Sequence, residues 1–95
     1  MRRDDALRII GEHAQELREL GVKELYLFGS VARDEAREDS DVDVIVSLHR
    51  PLGLAFFTIQ DRLEGWLGRK VDLGTVASLK PYLRERVVNE MVRAA

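Results

Sequence analysis

Two aspartates one residue apart, Asp41 and Asp43, open a stretch whose other positions are almost all apolar, Val42-Asp43-Val44-Ile45-Val46-Ser47-Leu48. In a strand, residues i and i+2 project from the same face, so this spacing sets two carboxylates side by side. Aspartate is a poor strand former, and an unpaired carboxylate at the head of an apolar strand is costly to bury. A divalent cation between the two resolves both difficulties. Asp72, alone between Val71 and Leu73, is a third acid inside a short apolar segment. It either caps the next turn or, if its strand lies beside that of Asp41 and Asp43, joins the same cation site. Three acidic side chains on adjacent strands are a hard oxygen-donor set, suited to Mg²⁺ rather than zinc.

Upstream, the apolar run Leu25-Tyr26-Leu27-Phe28 stops at Gly29-Ser30. Glycine lets a backbone approach a phosphate closely. A following helix start offers free N–H groups, and Ser30 adds a hydroxyl donor. A lone Gly-Ser between strand and helix is most often only a turn, and an isolated Asp-x-Asp is most often a solvated strand entry. Together the parts are complementary: a phosphate cradle beside a carboxylate cluster. Mg²⁺ is typically held by one or two carboxylates plus substrate phosphates, so this is equipment for metal-assisted attack on a nucleoside triphosphate.

The elements that must position these groups follow from periodicity. Leu7, Ile10, Ala14, Leu17 and Leu20 predict one helix over 4–20, with Asp4 or Asp5 at its start and Gly21 as its stop. Residues 24–28 read as a strand, 31–36 as a short helical turn and 34–39 as a solvated charged loop. Residues 41–48 form the second strand, apolar on both faces and therefore covered on both sides or central. A helix over 54–67 presents Phe56, Ile59, Leu63, Trp66 and Leu67 on one stripe and ends at Gly68. Residues 71–73 form a third strand. Pro81 starts a last helix running to about Arg93, with Leu83, Val87, Val88, Met91 and Val92 apolar. The expected class is α/β, a small mixed sheet flanked by helices.

At 95 residues the chain reads as one small domain, residues 1–95, with a thin core. A partner or self-association, as a homo- or hetero-oligomer, would cover its remaining apolar surface. The net charge of -2 argues against direct nucleic-acid binding, which usually shows as a strongly basic domain. The absence of cysteine excludes a disulfide framework and thiolate metal sites. No apolar run reaches the roughly 18–20 residues of a membrane span, and the N-terminus carries no signal-peptide pattern, so the expected location is the cytoplasm. His13 and His49 lack partners at ligand spacing and read as surface or boundary residues. Trp66, Phe56 and Phe57 read as core or partner surface. Thr75 and Ser78 are explained by loop polarity and Lys70 as a solvated charge.

Gly29-Ser30-Val31-Ala32-Arg33, then Ser40-Asp41-Val42-Asp43, then Asp72 resembles the G-S-x-A-R … S-D-x-D … D signature of nucleotidyltransferases of the DNA polymerase β superfamily. The length and element order resemble its minimal nucleotidyltransferase (MNT) group, over essentially the whole chain. The resemblance implies a polymerase β palm-like fold and assigns roles position by position. Gly29 and Ser30 would bind the β- and γ-phosphates of ATP. Asp41 and Asp43 would hold two Mg²⁺ ions, and Asp72 would complete the site beside the attacking hydroxyl. Arg33 would reach a phosphate, or pair with Asp39 or Asp41 and brace the loop, with the brace preferred. The implied activity is transfer of AMP from ATP to an acceptor hydroxyl, a tyrosine on a small helical HEPN-type toxin, which makes the chain an antitoxin. Two other functions fit the length less well or need a degenerate site: a small-molecule nucleotidyltransferase, and a non-catalytic module that neutralises its partner by binding.

Overall fold

The computed structural model describes residues 1–37 and 39–95; of the expected charged loop, Glu38 lies outside the described residues. The elements run α1 (Arg3–Glu12), α2 (Ala14–Glu19), β1 (Val22–Phe28), α3 (Gly29–Ala32), β2 (Val42–Leu48), α4 (Ala55–Leu67), β3 (Val71–Thr75), a 3₁₀ turn (Val76–Ser78), α5 (Pro81–Glu90) and β4 (Val92–Arg93). The sheet has the order β3-β2-β1-β4. β1 pairs antiparallel with β2 and β4, and β2 pairs parallel with β3. The sheet is therefore mixed, as expected, and β2 is interior to it.

Alternation along the strands gives the sheet two different faces. Leu25, Leu27, Val42, Val44 and Val46 are buried together with Ala6 and Ile10 of α1, Leu17 of α2, and Ile59, Leu63 and Leu67 of α4. Burying such side chains contributes about 1.5–3 kcal/mol each, and this layer is the core. The second face carries Phe28, Tyr26, Asp43, Ile45 and Asp72. Ile45 is buried there outside that core cluster. α5 lies in the connection from β3 to β4, the two edge strands of the sheet. Among the described residues, no helix is long and apolar enough to cross a membrane.

Several boundaries differ from the sequence expectations. The helix expected over 4–20 is two helices, broken at His13 (φ -108°, ψ 15°). There the imidazole stacks flat on Trp66, centroids 3.9 Å apart and planes 2° from parallel. The turn expected over 31–36 is α3, which begins earlier, at Gly29, and stops at Ala32, because Asp34 adopts φ 59°. That strained turn is held by Arg3 N–H donating to Asp34 Oδ1 at 3.0 Å. This bond, ahead of the Arg2 and Arg3 charges, holds the Asp34 carboxyl below its ordinary range despite some opposing desolvation. β3 continues through Gly74 and Thr75. Finally, the last helix ends at Glu90 rather than about Arg93. Met91 turns extended (ψ 142°), and Val92–Arg93 pairs with Leu27–Tyr26 as an edge strand. Sheet pairing satisfies the outer hydrogen-bonding groups of β1, which helical continuation would leave exposed.

Candidate active site

The strand registers place the acids. Phe28 lies opposite Asp43, and Asp43 lies opposite Asp72, so the three form one row across the second face. Neighbouring strands are about 4.8 Å apart, which puts the Asp43 and Asp72 carboxylates within strong mutual repulsion. Asp41 immediately precedes β2 and is exposed, Asp43 is half-buried and Asp72 is exposed. Burial raises the Asp43 pKa above the ordinary 3.8, the Asp72 and Asp41 charges push it further, and Arg33 opposes them. A carboxylate pressed from three sides in this way is poised to take a cation. Among the described residues no three acidic or histidine side chains converge as a preformed metal cage. The carboxylates are register neighbours and hard oxygen donors, which suits Mg²⁺ sharing its coordination with waters and substrate phosphates. The donor set thus fits the ion that the Asp-x-Asp spacing suggests.

Gly29 sits at the C-terminal end of β1 and is packed directly on Asp43. Its φ is 72°, and a Cβ there would lie 3.1 Å from Asp43 Cγ and closer still to Oδ2. Only glycine satisfies both conditions. Ser30 follows in α3, half-buried, with its carbonyl accepting from Glu35 N–H at 2.8 Å. α3 has four residues, too few for an appreciable macrodipole. Any anion held here is held by individual N–H groups and the Ser30 hydroxyl.

Arg33 departs from the pairings expected of it. Instead of Asp39 or Asp41 it meets Glu35 (3.1 Å) and Glu90 of α5 (3.6 Å). It is a brace, but between the loop after α3 and the end of α5. Both partners are partly exposed, so each pair is worth under about 1 kcal/mol. Thr75 and Ser78 bond one another: Ser78 N–H donates to Thr75 Oγ1 (3.1 Å) and the Ser78 hydroxyl to the Thr75 carbonyl (2.8 Å). They close the turn after β3. Lys70 contributes its carbonyl, which accepts from Val42 N–H at 2.9 Å.

Two positioning residues escaped sequence reasoning. Gln60 donates to the Val71 carbonyl and Glu64 accepts from Val71 N–H, each at 2.9 Å. Both lie on α4, one turn apart, and they occupy the free edge of β3 beside Asp72. Their i, i+4 spacing marks one helix side, but only the strand order reveals what that side meets. Glu64→Ala is expected to lower stability by about 1–2 kcal/mol and to reduce turnover by loosening Asp72. Thermal melting and steady-state kinetics check this; wild-type values for both would show that the β3 edge needs no tether.

Residues 10–94 match the nucleotidyltransferase domain family. The protein adenylyltransferase MntA of Thermococcus cleftensis is 44% identical over 86 residues, covering 88% of this chain and 87% of that protein. A solved structure provisionally named a minimal nucleotidyltransferase is similar with a TM-score of 0.83 at 36% identity, covering 97% of this chain and 95% of that one. A chain from a toxin–antitoxin crystal structure with AMP-PNP is similar with a TM-score of 0.75 at 25% identity, covering 90% of this chain and 72% of that one. A match spanning every strand that carries a candidate residue, with a relative at 44% identity beside it, shows that this chain belongs to the nucleotidyltransferase domain family and is a nucleotidyltransferase.

Proposed function

We propose that the chain is a Mg²⁺-dependent protein adenylyltransferase, moving AMP from ATP to a tyrosine hydroxyl on a small helical HEPN-type toxin and so acting as its antitoxin. The observation that carries the nucleotide site is the row in which Gly29 packs on Asp43 and Asp43 faces Asp72. The protein acceptor is supported by the names of the relatives, one a protein adenylyltransferase and one a toxin–antitoxin complex holding an ATP analogue. It is also supported by α5, which buries none of its residues and leaves Tyr82 74%, Val88 48% and Leu83 38% exposed. Apolar side chains of this helix are thus available to a partner protein.

In this mechanism Asp41, Asp43 and Asp72 hold Mg²⁺, which when bound neutralises triphosphate charge and favours deprotonation of the attacking hydroxyl. Gly29 lets the β- and γ-phosphates close onto the backbone, and Ser30 Oγ donates to them. Asp72, exposed on an edge strand, is the carboxylate an incoming hydroxyl reaches, and its free oxygen accepts the hydroxyl proton. The acceptor oxygen bonds to the α-phosphorus, the bond from that phosphorus to the α–β bridging oxygen breaks, and pyrophosphate leaves. Positioning and charge stabilisation supply most of the rate.

The test uses the candidate toxin, Mg²⁺ and ATP labelled at the α-phosphate. Label is expected on the toxin and is lost when its acceptor tyrosine is replaced by phenylalanine. Tight complex formation without label, repeated across nucleotides, would instead make the chain a binding module.

A further inference from the structure

A cleft of about 620 Å³ opens where β2 and β3 end, with α5 contributing Arg84 to its wall. It lies at the opposite end of β2 from the carboxylates. Ser47, which lines it, is four residues beyond Asp43 on the same strand, about 13 Å away at the strand rise. Pro51 and Val76 supply apolar wall, while His49, Arg50 and Arg84 supply polar and cationic groups; no acidic residue lines it. This is a local inversion in a chain whose net charge is -2. Arg33, Arg62 and Arg86 are each paired with glutamate. Arg50 and Arg84 enter none of the ion pairs found among the described residues.

Two guanidinium groups on one cleft with no carboxylate to answer them concentrate positive potential there, and the guanidinium fork grips phosphate bidentately. The volume lies within the range of small-ligand sites and exceeds the need of a bare oxyanion. An apolar wall beside the cations favours a ligand with a flat organic body. We propose that this cleft is a second anion site, separate from the triphosphate site, that takes an organic phosphate of mononucleotide size. Arg50 and Arg84 hold the phosphate, and Pro51 and Val76 contact the body.

The test uses the full chain carrying Asp41→Asn and Asp43→Asn, which disables the triphosphate site, titrated with AMP by calorimetry. One equivalent of AMP is expected to bind, more tightly than inorganic phosphate and more weakly as salt rises. Adding Arg50→Ser and Arg84→Ser weakens it roughly tenfold per arginine. No AMP binding, or binding indifferent to both arginines, overturns the proposal. Phosphate binding as tightly as AMP overturns the organic-body assignment, and tighter binding of a polyglutamate peptide reassigns the cleft to an acidic protein segment. Circular dichroism confirms that each variant is folded. Transfer by an otherwise wild-type chain carrying Arg50→Ser alone stays intact, so failure at this cleft is distinguishable from failure of the adenylyltransferase reading on which the choice of probe rests.

Discussion

Gly29→Ala nearly abolishes AMP transfer while the fold survives. Two effects meet at this position. The backbone is left-handed, φ 72°, which costs an L-residue about 1–2 kcal/mol. The added methyl also drives into the Asp43 carboxylate, which can retreat only by leaving the row it shares with Asp72. A shift of about 1 Å in a positioned group costs roughly a hundredfold in rate, and at least that loss is expected. The global cost is smaller, because Asp43 is half-buried and the core lies on the other face of the sheet. Circular dichroism and melting establish that the variant is folded, and single-turnover transfer gives the rate. A folded variant with wild-type turnover would show that the contact between Gly29 and Asp43 does not position the site.

Asp43→Asn is expected to move activity and stability in opposite directions. Transfer falls roughly 10²–10³-fold, the scale of losing one preorganised electrostatic contact in a site of this kind. The metal-free protein becomes more stable. Burial, then Asp72 and Asp41, raise the Asp43 pKa above its ordinary 3.8, with Arg33 opposing. An acid whose folded pKa is raised keeps its proton in the folded state at pH values where the unfolded chain has lost it. Stability therefore falls as pH rises from about 3.8 through the folded value, and the whole penalty is present near neutral pH. Asparagine removes that charge. In the presence of chelator the variant should melt roughly 2–5 °C above wild type near neutral pH, the response of a domain this size to under about 1 kcal/mol. The difference should vanish below about pH 3.8. Mg²⁺ should then stabilise wild type and leave the variant unmoved. A variant that melts lower than wild type near neutral pH in chelator would contradict the repulsion inferred at this row.

Much of this site was legible in the sequence because its parts are local. Gly29-Ser30 and Asp41-Val42-Asp43 are each read within a few residues, and the two-sided apolar character of Val44-Ile45-Val46 predicts an interior strand. Asp72 depended on strand order, which short segments do not encode by themselves; the parallel β2–β3 pairing supplies it. What was illegible is non-local. Arg33 meets Glu90, fifty-seven positions away, because the end of α5 comes back beside the residue that follows α3. Gln60 and Glu64 look like ordinary helix-surface polarity until the edge of β3 is placed against them. The final residues carry helical periodicity through Val92, and a competing sheet edge overrides it. Helix propensity is a weak prior where a strand offers unpaired hydrogen bonds. Likewise the His13–Trp66 stack joins the junction of α1 and α2 to α4, so the break between α1 and α2 has no signal in residues 4–20 alone.

The central claim is that Gly29, Ser30, Asp41, Asp43 and Asp72 act as one Mg²⁺–triphosphate site. It is tested most directly by the Mg²⁺ dependence of ATP affinity in the wild type and in Asp43→Asn, measured by calorimetry without any acceptor. Wild-type affinity should rise tenfold or more on adding Mg²⁺, since charge-assisted contacts to a bound group are worth about 1.5–3 kcal/mol, and Asp43→Asn should abolish that rise. The same Mg²⁺ response in both proteins would show that the carboxylate row does not hold the metal with the triphosphate, and the account of the site would be wrong.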